Sequence, residues 1–164
     1  LKLEHAIAAN TEPAIRETQT LVYREASPPD SPLVPPDVTD SLFDPAAWDR
    51  VRTLAPSEAL LFRFSALTFN THRIHYDAPY AREVERYRGL VVHGPLISTL
   101  LLQLAADLVG PNALRSFAFT ARSPAIAGDT LHLAARQAGD TLELAALNDA
   151  GALLTKASAV TGGG

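Results

Sequence analysis

The sequence predicts an α+β domain, an antiparallel sheet wrapped around one long central helix. Three observations carry this. Residues 93–109 place apolar side chains at 96, 97, 100, 101, 104, 105 and 108, a wide stripe at helical spacing that Gly110-Pro111 closes. Beyond it the chain alternates strand-forming stretches with turn residues, the pattern of an antiparallel meander. And 47% apolar residues in a 164-residue chain suffice for a packed core.

Each element has its own signature. Residues 1–26 read as two strands: Leu1, Leu3, His5 and Ile7 alternate with other residues, a turn follows at 8–13, and 15–24 resumes with Thr20, Val22 and Tyr23. A hairpin alone is marginal in water, so this one calls for a sheet that the rest of the sequence does not provide. Residues 27–39 contain five of the twelve prolines and are expected to form a semi-rigid, extended linker at a domain boundary. Residues 45–52 suggest a short helix carrying Trp48, with Asp44 as N-cap and Pro45 in first position. A strand is expected at 60–67 and a polar surface helix, rich in Arg and Glu, at 78–87. Strands at 114–121, 130–137, 141–147 and 152–160 complete the sheet, with turns at 138–140 and 148–151 and a frayed tail at 162–164.

Composition removes several classes of function. A net charge of −4 without long runs offers no basic stripe to a nucleic-acid backbone. With no cysteine there is no disulfide framework, thiolate nucleophile or cysteine zinc site, which suits a reducing compartment. The most apolar stretch, 96–109, is interrupted by Gln103 and Asp107 and reads as a core helix rather than a bilayer span. Methionine is absent, position 1 included, and we expect a chain that continues beyond Leu1.

The chemistry concentrates in residues 70–94. Asn70, His72, His75 and Asp77 lie within eight residues, and Gly94 follows at the start of the apolar helix. Titratable side chains near a helix N-terminus suit proton transfer beside a developing oxyanion. His72, His75, His93 and Asp77 are also metal-compatible, but no second tight pair supports the single three-residue spacing, and no metal site is expected.

The stretch Phe64-Ser65-Ala66-Leu67-Thr68-Phe69-Asn70, continued by His72-Arg73-Ile74-His75-Tyr76-Asp77, Tyr80-Ala81, Gly89-Leu90-Val91-Val92-His93-Gly94-Pro95-Leu96 and Gly128-Asp129, resembles the MaoC-like hydratases of the hotdog superfamily. Within it the likeness is to the branch of mesaconyl-CoA (3-methylfumaryl-CoA) hydratases and mitochondrial-type 3-hydroxyacyl-thioester dehydratases. The resemblance implies a hotdog fold within a double-hotdog chain. Residues 1–26 would be the terminal strands of a preceding hotdog unit, 27–39 the linker and 40–161 the hydratase domain. It further implies a hydro-lyase that adds water reversibly across the α,β double bond of an acyl-CoA thioester.

The family's catalytic histidine falls on His75. Asn70 stands where the wider pattern has an aspartate, and His72 where it has an asparagine; an amide does not titrate, so the two-group mechanism does not transfer unchanged. His75 is then the proton carrier, Asn70 the group that orients water, His72 a second candidate carrier and the Gly94 N–H the oxyanion donor. Tyr76, Asp77, His93 and Arg122 are the substrate-binding candidates. By its own chemistry His93 braces the helix start, and Asp77 orients a neighbour or caps the 78–87 helix. Arg82, Arg86 and Arg88 suit a solvated helix face or the phosphates of coenzyme A. Coenzyme A enters as part of the substrate and no other cofactor is expected. The thioester, on coenzyme A or an acyl carrier, and a second hotdog unit or copy of this chain are the expected partners, without nucleic acid or membrane and in the cytoplasm. Two alternatives stay open: a non-catalytic thioester-binding or assembly subunit, and a thioesterase on the same fold.

Overall fold

The computed structural model describes residues 1–23 and 25–162. The core is built on α3 (Gly94–Val109), which contacts every strand of a five-stranded sheet. That sheet runs β3 (Arg50–Leu54), β5 (Leu131–Ala138), β6 (Thr141–Leu147), β7 (Leu153–Thr161), β4 (Leu114–Ala121), antiparallel throughout. The register explains why so many alanines are buried. Leu144 lies between Ala135 and Ala157, and Leu142 has Ala159 on one side, so alanines beside these leucines leave room for the leucines of α3. Leu96, Ile97, Leu101 and Leu104 of α3 fill that space, and all are buried.

The opposite face of the sheet is covered over β5, while the outward side chains of β7 are exposed. Phe43 stacks on His132 with ring centroids 4.1 Å apart, and Arg136 lies over Trp48. The N–H groups of Leu42 and Phe43 both donate to the Asp149 carbonyl. His132 and Arg136 share a face with Ala134, which is 0% exposed between them.

Three expectations for local structure change. Residues 60–67 are not a strand but lie in α1 (Glu58–Thr68), started by Ser57, whose hydroxyl accepts the Leu60 N–H. Only Leu61 and Ser65 of α1 are buried; Phe62 and Leu67 point outward, so the helix rests on the surface with a narrow inner face. The helix expected at 45–52 is a 3-10 turn, Pro45–Ala47, with Asp44 capping it as anticipated. Residues 50–54 instead form β3, because their backbone completes the ladder of β5. The surface helix is also shorter, α2 (Ala78–Glu83), and the chain leaves it through Arg86 at φ 62°.

The proline-rich segment is docked rather than free. Val34 inserts between two backbone partners, its N–H donating to Arg86 and its carbonyl accepting from Arg88, at 2.9 and 3.0 Å. Arg86 Nε donates to Ser31 O at 2.9 Å, and Arg88 bridges Asp37 and Asp129. Arg88 therefore serves as a structural cation, half-buried between its two carboxylate partners. The leading hairpin, β1 (Lys2–Ala9) and β2 (Glu12–Thr20), turns on Asn10 and Thr11, both at positive φ, and forms a sheet of its own. The turn is tighter than the 8–13 expected, because β1 continues to Ala9 and β2 begins at Glu12, while β2 ends at Thr20, short of the expected 24; Arg24, and Gly163 and Gly164 of the expected tail, lie outside the described residues.

Candidate active site

Residues 69–94 form no part of the five-stranded sheet; they run as a turn, a short helix and an approach to α3 that pairs with the connection at 125–127. α1 ends at Phe69 in the left-handed region (φ 54°), and Asn70 reverses the chain: its N–H donates to Ser65 O and its Oδ1 accepts the His72 N–H at 3.0 Å. A 3-10 turn, Arg73–His75, follows. Asp77 caps α2 through the Tyr80 N–H and takes two bonds from Arg73, at 3.0 and 2.7 Å. The Tyr80 N–H first and Arg73 second hold its carboxyl below the usual carboxylate range. Asp77 is thus a cap and an anchor.

The approach to α3 is pinned at close range. A Cβ on Gly89 would meet Ile126 Cγ2 at 2.7 Å, so only glycine lets this strand-like segment lie so near. Val92 N–H then donates to Ala125 O, and Ala127 N–H to Leu90 O, both at 2.8 Å. Val91 N–H donates to Ile74 O at 2.9 Å, tying the 3-10 turn to the same segment.

His75 is held by that segment. Its Nδ1 lies 2.7 Å from Val91 O, and since a carbonyl only accepts, Nδ1 carries the hydrogen. In the neutral ring Nε2 is then the basic nitrogen. Burial at 7% exposure pushes its pKa below the ordinary 6.5; the Val91 bond opposes this and His72 adds to it. His93 stacks on His75, with centroids 3.6 Å apart and planes at 18°, and meets Phe64 edge-on at 4.9 Å. It is 0% exposed, its Nε2 lies 2.8 Å from Ser65 Oγ, and its Nδ1 has no partner among the described residues. Burial, then the charges of His75 and His72, brings its pKa to about 4. His72 is exposed and stands edge-on to His75 at 5.6 Å.

The helix N-terminus completes the arrangement. Gly94 opens α3, Pro95 after it has no N–H, and the N-cap His93 supplies no side-chain bond. The Gly94 N–H consequently has no acceptor among the described residues, and a Cβ placed there would meet nothing within 4 Å. An anionic oxygen has both a donor and room. Of the candidates, the fold brings together His75, His93, His72, Asn70 and Gly94. Tyr76 donates its hydroxyl to Thr71 O at 2.7 Å, and Arg122 lies exposed beyond β4 with no side-chain contact to the cluster. Sequence reasoning gave no role to Val91 or Ser65. A backbone acceptor leaves no mark in residue type, and the only signal for Ser65 was a hydroxyl on the inner face of an apolar stretch.

A curved antiparallel sheet around a helix, with a histidine beside that helix's first N–H, defines a MaoC-like hotdog domain. The solved MaoC-like dehydratase of Phytophthora capsici shares this fold, with a TM-score of 0.62 at 14% identity over 93% of this chain and 48% of that one. The chain belongs to the hydroxyacyl-thioester dehydratase type 2 family, whose sequence profile matches residues 1–127. It is similar to the mesaconyl-C(4)-CoA hydratase of Chloroflexus aurantiacus, 46% identical over 113 residues, which are 67% of this chain and 37% of that protein. It is also similar to the mitochondrial hydroxyacyl-thioester dehydratase type 2 of Schizosaccharomyces pombe, 30% identical over 121 residues, 73% of this chain and 38% of that protein. The chain therefore spans less than two-fifths of the length of either relative. No helix among the described residues is long and apolar enough to cross a membrane.

Proposed function

We propose that the protein hydrates the α,β double bond of an acyl-CoA thioester, and dehydrates the 3-hydroxy product in reverse. The observation that carries this reading is the His75–Val91 bond: it leaves Nε2 basic and ties the base to the segment that ends in the free Gly94 N–H. His75 Nε2 takes a proton from water as the water oxygen bonds to Cβ. The C=C electron pair moves to form the enolate, whose oxygen the Gly94 N–H stabilises, and the imidazolium returns its proton to Cα. Asn70 orients the water through its amide. Its Oδ1 is occupied by the His72 N–H, so its amide N–H₂ is the end that holds the water oxygen.

The two curated relatives point to enoyl thioesters, of the mesaconyl-CoA type or simpler 2-enoyl chains. Coenzyme A is part of the substrate and no separate cofactor is invoked, and the enzyme works in the cytoplasm. Residues 1–26 are the closing strands of a preceding hotdog unit, 27–39 the connection and 40–161 the hydratase unit. A second hotdog, in the same longer chain or another copy, covers the outer face of α1, where Phe62, Leu67 and Phe69 are exposed close to the site. Because Asn70 stands at the wider pattern's aspartate, thioester binding without turnover is the competing reading.

The test follows the ultraviolet absorbance of crotonyl-CoA and mesaconyl-CoA with full-length protein, with free thiol measured in parallel. Loss of the conjugated signal without thiol release is expected. In His75→Ala the rate should fall about 10²- to 10⁴-fold with the far-ultraviolet circular dichroism unchanged. Near-normal turnover in that variant would sink the assignment of His75; binding without turnover in the wild type would favour the competing reading, and thiol release a thioesterase.

A further inference from the structure

His93 is buried, outside the proton path just described, and in contact with both ends of it. Its ring lies flat on His75, 3.6 Å away, while its main chain leads directly into Gly94. Ser65 Oγ, reaching from α1 to Nε2 at 2.8 Å, fixes the rotation of that ring, and Phe64 closes its other side. We propose that His93 is a positioning residue: its imidazole is the platform on which the His75 ring rests, and it sets the spacing between that ring and the Gly94 N–H. This rests on His75 being the proton carrier.

The chemistry of the stack agrees with the geometry. Two imidazolium rings at this distance repel, so one of them must stay neutral while the other cycles through its charged form. Among the described residues the charged or titratable groups facing His93 are His75 and His72, and α1 contributes Ser65 and Phe64. With no carboxylate to stabilise it as a cation, the deeper ring remains neutral, and the proton taken from water stays on His75, where it is needed for Cα. Shielding by the platform also keeps water off one face of His75, consistent with the lowered pKa of that residue.

Two variants of the full-length protein separate the stack from the Ser65 bond. His93→Phe keeps a ring and loses the bond; His93→Gln keeps a partner for Ser65 and loses the ring. Imidazole ¹⁵N spectra over a pH series report the tautomer and titration of His75 without requiring turnover. With His93→Phe the His75 titration should match wild type. With His93→Gln water reaches the exposed face, and the His75 midpoint should rise toward its ordinary value of about 6.5. In the same variant kcat should fall roughly tenfold to a hundredfold, with KM changed less than about twofold. A purely structural role would lower the melting temperature and leave the His75 titration alone in both variants, which overturns the proposal. Should His93→Gln fail to fold, His93→Asn, which also lacks the ring, takes its place: a raised His75 midpoint supports the platform, and an unchanged midpoint refutes it. A wild-type protein that titrates as described but turns over no thioester removes the proposed activity and leaves the platform standing.

Discussion

His93 makes stability depend on pH. Its folded-state pKa of about 4 lies below the ordinary 6.5, so between these values the unfolded chain binds a proton that the folded one refuses. Stability is therefore full above about pH 6.5 and is lost as pH falls toward 4, by on the order of 3 kcal/mol. The lowered His75 acts with the same sign. Urea denaturation midpoints measured from about pH 7.5 down to 5 should decline, and His93→Phe should flatten that decline. At this scale the sequence showed residue types but not their partners. His75 and Gly94 stand out through an imidazole and a missing side chain. The Val91 carbonyl was invisible, since every residue has one, and Asn70 was legible by type but not by which end of its amide remains free.

Among the elements, α3 was legible because its apolar stripe is long and closed by glycine and proline. The meander was legible because its turns carry glycine and its strands are of ordinary length. α1 was not: with Phe62, Leu67 and Phe69 turned outward, its apolar residues exceed what its inner face needs, and the excess hides helical spacing. The better signal was Ser57 followed by Glu58, a cap and a first-turn acid. β3 was misread because pairing with β5, a long-range contact, outweighs the helical start that Asp44 and Pro45 provide. The start of α3 admits a direct test. Since nothing lies within 4 Å of a Cβ at Gly94, Gly94→Ala should leave the melting temperature unchanged or slightly raised, by about 0.4–1 kcal/mol of stability. The methyl group would occupy the oxyanion's approach, so kcat/KM should fall about tenfold or more. Equal loss of stability and activity would argue against an oxyanion at this N–H.

For the molecule as a whole, the proline-rich segment joins pieces that composition alone would keep apart. Proline content signals an extended chain but not whether that chain docks; the partners Arg86, Arg88 and Asp129 come from distant positions and could not be paired by inspection. Arg88→Met should loosen this strap, seen as faster proteolysis within residues 27–39 while the cores of α3 and the sheet stay protected. Unchanged cleavage would mean that the Val34 backbone bonds alone hold the strap. The approach to α3 has a further consequence. The acceptor that orients His75, the ring stacked on it and the proposed oxyanion donor come from Val91, His93 and Gly94, so covalent geometry sets their spacing. The loops at 138–141 and 148–152 can change length without touching the chemistry. A single residue inserted between Val91 and Gly94 shifts all three groups against one another, so length variation in this fold is free at the turns of the sheet and forbidden at the mouth of its helix.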